Sequence, residues 1–210
     1  MSLRCKHLQV NYIQSPHSEI WKTDCVFERE KYYHIKAPSG KGKSTLMACL
    51  YGIQKEYSGD IFIGKKALKK MSIDEVCEIR KNKVSIVFQD LKLFEHHSAI
   101  DNIELKRQQS NHYSHQDIQR MSQQLGIEHA INRPIHSLSY GERQRTAIIR
   151  ALIQPFDYLL LDEPFSHLDN DNTEKASTLI LEEVQKRNAS IILADLEHDS
   201  LFPYHKTFNL

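Results

Sequence analysis

Residues 37–45 combine glycines, lysines and hydroxyl side chains at a spacing suited to binding phosphate. Successive backbone N–H groups of a glycine-rich turn, at the positive end of a helix, supply several donors to one anion. Gly40 and Gly42 leave room for phosphate oxygens. Lys43 can reach the outer phosphates, and the Ser44 hydroxyl can join the coordination shell of Mg²⁺. The segment therefore predicts a nucleotide-binding loop.

The residues of this loop that we predict to contact the nucleotide are Ser39, Gly40, Lys41, Gly42, Lys43, Ser44 and Thr45. Among them, the side chain of Lys41 is expected to face solvent. The full motif would carry glycine at position 37, where this chain has alanine. If Ala37 needed a left-handed backbone, its Cβ would cost about 1–2 kcal/mol.

Two adjacent carboxylates follow the apolar run 158–161 and precede Pro164. An uninterrupted apolar run of this kind predicts a strand that is buried on both faces. Asp162 is predicted to hold Mg²⁺ through water, and Glu163 to polarise an attacking water as a general base. A strand exit that caps the next helix would explain one acid but not both.

Alternating strands and helices must position these groups, which predicts an α/β core with a mostly parallel sheet. The predicted strands are 3–13, 24–27, 32–36, 59–64, 84–88, 158–161 and 190–194. The predicted helices are 73–83, about 99–130, 139–153 and 171–188. The stretch from 99 to 140 lacks strands, so we expect a helical subdomain inserted into the core.

The composition fits one enzyme domain of 210 residues, because 40% hydrophobic residues can build a full core. A net charge of +1 gives no general footprint for nucleic acid, so no such partner is expected. The widely spaced Cys5, Cys25, Cys49 and Cys77 indicate neither a disulfide framework nor a zinc site, which favours a reducing cytoplasm. No apolar run is long enough to span a bilayer, so membrane association would need a partner.

A third motif, Leu-Ser-Tyr-Gly-Glu-Arg-Gln-Arg at 138–145, precedes the acidic strand. Ser139 and Glu142 alone would form a capping box, and a capped helix start can also bind phosphate. Together with the other two motifs, the segment resembles the signature sequence of ATP-binding cassette (ABC) ATPases. The usual form in the nearest branch is Leu-Ser-Gly-Gly-Glu-Gln-Gln-Arg, from which Tyr140 and Arg143 depart.

The resemblance covers nearly the whole chain, because the motifs also follow one another in the family's order. It implies a P-loop NTPase core with an antiparallel β subdomain and an inserted helical subdomain. The expected arrangement is one ABC ATPase domain over 1–210, with its core at 1–90 and 141–210 and the helical subdomain at about 91–140.

The resemblance also assigns roles to single residues. Tyr12 would stack on adenine, and Gln89 would link the Mg²⁺ and water region to the helical subdomain. The expected catalytic residues are Lys43, Gln89 and Glu163. The expected metal-binding residues are Ser44, Gln89 and Asp162.

A second subunit would complete the site from the opposite side with Ser139, Gly141 and Glu142. Asp169 would lie in the loop that crosses the dimer interface. The expected partners are thus another ATPase subunit, making a homodimer around Mg-ATP, and an integral-membrane permease that docks near 89–97. The chain would then sit in the cytoplasm, on the inner face of the membrane.

One element of the family's pattern is missing. A switch histidine normally follows the strand after the interface loop, but Asp195 or Leu196 occupies that place here, and His198 is the nearest histidine. An aspartate there would face the phosphate and repel it. We therefore expect slow hydrolysis.

The expected function is an ATP-hydrolysing transporter subunit. Its signature and the sequence Phe88-Gln89-Asp90 look most like the lipoprotein-release, macrolide-export and cell-division type. A weakly hydrolytic or non-hydrolytic regulatory cassette would also explain Ala37, Tyr140 and the missing histidine. A soluble ABC protein of DNA repair or translation, and a small-molecule kinase, are less compatible with a single compact chain that carries this signature.

Overall fold

The computed structural model describes residues 2–13, 17–110, 112–196 and 200–210. The strands are β1 (Leu3–Gln9), β2 (Asp24–Phe27), β3 (Tyr32–Lys36), β4 (Ser58–Ile63), β5 (Lys66–Ala67), β6 (Val84–Val87), β7 (Tyr158–Asp162), β8 (Ser190–Asp195) and β9 (Lys206–Asn209). The α-helices are α1 (Lys43–Leu50), α2 (Ile73–Asn82), α3 (Ala99–Arg107), α4 (His115–Gln124), α5 (Tyr140–Leu152) and α6 (Asn170–Lys186).

The described strands form two sheets. The larger has the order β6-β7-β8-β3-β9 and is parallel throughout, and the smaller has the order β2-β1-β4-β5 and is antiparallel. The α/β fold with a parallel core sheet and an antiparallel sheet is confirmed. In a parallel sheet of this kind ligands bind beyond the carboxyl ends of the strands, where β3, β6 and β7 deliver the predicted site residues.

Strand β7 shows how the core is divided. Leu159 and Leu161 belong to an apolar cluster that also contains residues of α5 and α6, while Tyr158 and Leu160 belong to a cluster with α1 and the antiparallel sheet. All five residues of β7 are buried. The apolar run is therefore continuous because both of its faces are covered.

Helices α3, α4 and α5 occupy the part of the chain between β6 and β7. The stretch expected to be helical from 99 to 130 is divided into α3 and α4, and α3 packs against α5. Whether 91–140 behaves as a separate subdomain stays a prediction. No helix in the described ranges is both long and apolar enough to cross a bilayer.

Some strand predictions were wrong in extent. β1 ends at Gln9 instead of residue 13, after a shift of register between Lys6 and Gln9 in its pairing with β4. His7, within that shift, has a φ of 47°, which breaks the extended backbone. β5 and β9 were not predicted, because each is short and begins with an exposed lysine, Lys66 and Lys206.

Candidate nucleotide-binding site

The loop between β3 and α1 depends on glycine for its shape. Gly40 and Gly42 have φ values of 78° and 96°, in the region that disfavours a Cβ. A Cβ on Gly42 would also lie 2.5 Å from the Cδ1 atom of Ile13. Gly42 caps α1 without a side-chain hydrogen bond among the described residues, and no acid lies in the first turn. The first amides of α1 are thus left for an anion.

The alanine at position 37 fits the loop without strain. Ala37 is buried, and its φ is not positive, so the cost of a left-handed backbone does not arise. Its carbonyl oxygen accepts a hydrogen bond from Lys43 Nζ at 2.8 Å. This departure from the full motif therefore leaves the loop geometry intact.

Four predicted site residues form a chain of polar contacts. Lys43 Nζ lies 3.1 Å from Glu163 Oε1. Gln89 Nε2 donates to Glu163 Oε2 at 2.9 Å, and Ser44 Oγ donates to Gln89 Oε1 at 3.0 Å. These residues come from the start of α1 and from the ends of β6 and β7. The carboxyl ends of the parallel strands therefore bring together residues that are far apart in sequence.

Asp162 has the environment of a cation ligand. The residue is buried, and its Oδ1 atom has no hydrogen-bond partner within the described part of the chain. Burial raises the pKa of Asp162 to about 6, the neighbouring Glu163 adds to this rise, and Ser44 and Lys43 oppose it. An unpaired buried carboxylate oxygen beside a hydroxyl and an amide is a donor set that suits Mg²⁺.

Glu163 itself has an unusual backbone, with a φ of 48°. Such a conformation costs about 1–3 kcal/mol in a residue other than glycine and persists only where the surroundings hold it. The N–H of Glu163 donates to the Ala194 carbonyl at 2.9 Å, and its own carbonyl accepts from Gln144 Nε2 at 3.3 Å. The carboxylate is thus aimed by contacts from β8 and α5.

These groups surround an open pocket of about 210 Å³. Its lining residues are Tyr12, Ile13, Ser39, Gly40, Gly42, Lys43, Ser44, Thr45, Gln89 and Glu163. Tyr12 is 68% exposed, as a ring offered to a ligand would be, and Gln54 Nε2 donates to its hydroxyl at 3.4 Å. Lys41 is exposed and is not part of this lining, in agreement with a side chain that faces solvent.

The start of α5 lies outside that lining. Ser139 Oγ accepts from the Glu142 N–H at 3.3 Å, and the Glu142 carboxylate accepts from the Ser139 N–H at 2.7 Å. Burial raises the pKa of Glu142, but hydrogen bonds from Ser139 and His129 outweigh that effect and lower it. A Cβ on Gly141 would meet only ordinary contacts of 3.5 Å or more, so this chain's own fold does not demand glycine there.

Asp169, predicted for the interface loop, caps α6. Its Oδ1 atom accepts from the Asn172 N–H at 2.8 Å. Capping accounts for the residue within one chain, and its role at a dimer interface stays a prediction.

The expectation that Asp195 faces the phosphate was wrong. Asp195 is the last residue of β8, and its Oδ1 atom lies 2.7 Å from Nε2 of the buried His34 in β3. Side chains alternate along a strand, so Asp195 shares the side of Leu193, which clusters with α5 and α6 and not with α1. Leu196, the other residue expected at the place of the switch histidine, follows it and is 46% exposed. His198 lies outside the described residues.

Sequence reasoning missed His34 because its partner lies 161 residues away. His34 and Asp195 are polar residues in otherwise apolar strands, and this was the only sequence pattern that could have indicated their pairing. The contact of Gln144 with Glu163 was also missed, although a buried amide in the first turns of α5 needs polar partners.

Comparisons with known proteins agree with this geometry. A family model described as ABC transporter matches residues 23–166. A lipoprotein-releasing system ATP-binding protein, LolD of Buchnera aphidicola, is 34% identical over 171 residues, which cover 80% of this chain and 74% of that protein. A thiamine import ATP-binding protein, ThiQ of Vibrio vulnificus, is 31% identical over 188 residues, or 88% and 77% of the two chains.

A solved structure is similar over most of its length. It is a dimeric, post-hydrolysis state of the ATP-binding cassette MJ0796 bound to ADP and phosphate, with a TM-score of 0.81 and 24% identity over 94% of this chain and 88% of that one. At this identity the likeness shows the fold alone. Taken with the family match, the chain belongs to the ABC transporter family, among its ATP-binding subunits, which are ATPases.

Proposed function

We propose that this chain hydrolyses ATP at the pocket beside α1, as one half of a homodimer that drives a membrane permease. The observation that carries the proposal is the convergence of Lys43, Gln89 and Glu163 in one pocket, next to the buried Asp162, whose Oδ1 atom has no hydrogen-bond partner among the described residues. Each of these groups has a role in phosphoryl transfer, which depends mainly on positioning and charge stabilisation.

The phosphates of ATP would bind the amides at the start of α1 and draw Lys43 away from Glu163. The Glu163 carboxylate would then be free to polarise the attacking water, while Gln89 holds its other oxygen. Mg²⁺ bound with ATP would be held by Ser44, Gln89 and Asp162 and would neutralise phosphate charge. Tyr12 would stack on the adenine ring at the mouth of the pocket.

The second subunit would contribute Ser139, Gly141 and Glu142. Support comes from the position of these residues outside the pocket lining of their own chain, and from Gly141, which the fold of its own chain does not require to be glycine. A phosphate that approaches from a partner subunit would meet the Ser139 hydroxyl and the first turn of α5. We infer that ATP joins two copies head to tail and that hydrolysis releases them.

A permease would bind near 89–97 and hold the chain at the cytoplasmic face of the membrane. Phe94 in this segment is 55% exposed, which suits a hydrophobic contact with a partner. The type of permease that we favour moves lipoproteins or similar substrates, because LolD proteins are among the relatives.

The substitution Glu163→Gln tests the proposal. We expect ATP turnover to fall at least about 100-fold while ATP binding and dimerisation in Mg-ATP are retained. Phosphate release would measure turnover, nucleotide titration would measure ATP binding and light scattering would measure dimerisation, with Glu174→Gln on the exposed face of α6 as control.

If Glu163→Gln turned over ATP as fast as the unaltered chain, Glu163 would not be the general base. A second candidate, a regulatory cassette that binds but does not hydrolyse ATP, is favoured by Leu196 at the switch position. It predicts that the unaltered chain, with its permease, is no faster than Glu163→Gln. A Glu163→Gln chain that stays monomeric in saturating Mg-ATP would contradict the shared site.

A further inference from the structure

A closed circuit of contacts joins the pocket to the start of α5. Gln89 Nε2 donates to Glu163 Oε2 at 2.9 Å. The Glu163 carbonyl accepts from Gln144 Nε2 at 3.3 Å, and Gln144 Oε1 accepts from the His167 N–H at 3.3 Å. The rings of His167 and Tyr140 lie 4.1 Å apart between centroids. The Tyr140 hydroxyl, at 3.4 Å, donates to the Gln89 carbonyl and closes the circuit.

The helix geometry explains why one element can make two of these contacts. Tyr140 and Gln144 are four residues apart on α5, so their side chains lie on the same face. Gln144 is only 1% exposed and uses both ends of its amide. Tyr140 and His167 are more exposed, and they complete the circuit through ring contact.

We propose that Tyr140 and His167 are positioning residues for ATP hydrolysis, which hold Gln89 and Glu163 in a fixed relation to each other. This rests on the proposed roles of Gln89 and Glu163. Neither ring lines the pocket of its own chain, so within one subunit both would act through other residues. Tyr140 stands where the usual signature has glycine, and a glycine could make neither of its contacts.

The strained backbone of Glu163 makes its position depend on the contacts in this circuit. A residue held at a φ of 48° relaxes when the groups around it loosen. The shape of the phosphate loop is set by its own glycines and helix start, and it contacts the circuit only through the side chains of Lys43 and Ser44. Loss of the circuit should therefore slow hydrolysis and leave ATP binding nearly unchanged.

His167→Ala tests the role of the ring. We expect kcat for ATP hydrolysis to fall about tenfold with KM for ATP within about twofold of the unaltered chain. His167→Phe keeps an aromatic ring against Tyr140 and should restore most of kcat. Tyr140→Phe keeps the ring and loses only the hydroxyl, so its kcat should lie between those of His167→Ala and His167→Phe. His112→Ala, another exposed histidine, should match the unaltered chain.

Three results would overturn this inference while the unaltered chain hydrolyses ATP. One is a His167→Ala variant as fast as the unaltered chain, and another is a rise of KM that equals the loss of kcat. The third is a His167→Phe variant as slow as His167→Ala, because the imidazole itself would then be needed. If the unaltered chain bound ATP without hydrolysing it, the proposed function would fail and this inference with it.

Discussion

The two helix starts that we assign to phosphate binding, those of α1 and α5, are built in opposite ways. Gly42 caps α1 without a side chain, and the first turn carries no acid. At α5, the Glu142 N–H donates to Ser139 Oγ, and the Ser139 N–H donates to the Glu142 carboxylate. The same serine-acid box begins α2, α3 and α4. The first amides of α1 are therefore open to an anion, whereas α5 begins with the same cap as three other helices of this chain.

The difference shows that a motif can have a local structural role, here helix capping, that does not by itself indicate its function. The box at α5 is a general means of starting helices here, so it carries no evidence for phosphate by itself. What distinguishes α5 is its setting, with Gly141 in the first turn and Tyr140 in contact with the Gln89 carbonyl. Substitutions at the two helix starts should accordingly have different effects.

The largest effect is expected at α1. Lys43→Ala removes the ammonium that contacts Glu163 and would meet the outer phosphates. ATP turnover should fall at least about 100-fold, since a single electrostatic contact at the reacting group is worth that much. Steady-state phosphate release measures this, with Lys175→Ala on the exposed part of α6 as control. A loss below threefold would mean that α1 binds its anion through amides alone.

Asp162→Asn should change how the free energy of unfolding depends on pH. Folded Asp162, with its pKa near 6, keeps a proton that the unfolded chain loses near 3.8. The free energy of unfolding therefore falls as the pH rises from about 4 to about 6, by about 2–3 kcal/mol in total. In EDTA and without nucleotide, Asp162→Asn should be more stable than the unaltered chain at pH 7.5, and nearly equal to it at pH 4.

Urea unfolding at the two pH values measures this difference. If the variant were less stable than the unaltered chain at both pH values, burial of the charged Asp162 carboxylate would not destabilise the fold. Mg²⁺ and ATP together should stabilise the unaltered chain more than the variant, because the cation relieves the unpaired charge.

Ser139→Ala and Ser114→Ala form a matched pair. Both remove the serine of a capping box, so each should cost about 1 kcal/mol of stability. Only Ser139→Ala should also reduce ATP turnover, by about tenfold, because only α5 is expected to meet the nucleotide of a partner subunit. Equal turnover in the two variants would mean that the capping box of α5 only stabilises its helix and has no role at the nucleotide.

The smallest effect is expected for Ala37→Gly, which restores the usual residue of the loop. Because Ala37 does not use a left-handed backbone, the change should cost about 0.5–1 kcal/mol in chain entropy and leave turnover within twofold. Thermal unfolding and turnover would both be measured. A several-fold faster enzyme would indicate that the loop needs a left-handed residue at 37 during catalysis.

The sequence was sufficient for those parts of the site that local pattern determines. The phosphate loop, the apolar strand before Asp162 and the box at Ser139 each follow from spacing along a single segment. The order of the motifs then predicted the family, which the comparisons confirm. That match also sets aside the small-molecule kinase.

Features that depend on contacts between distant segments were not predictable. The pair of His34 and Asp195 needs the register of two strands, and the ring contact of Tyr140 with His167 needs the position of α5 against the loop after β7. Residues 206–209 became a strand because β3 offers an edge, although their own sequence is mostly polar. Propensity alone did not indicate any of these.

The strand that carries the phosphate loop has a consequence for biosynthesis. β3 obtains both of its neighbours, β8 and β9, from the last part of the chain, and His34 meets Asp195 across 161 residues. During translation the β3 segment leaves the ribosome long before either neighbour exists, and such high contact order slows folding. Until then both edges of this segment are exposed to wrong pairing, so a nascent chain should rely on chaperones, and ATP should not act as an early template for folding.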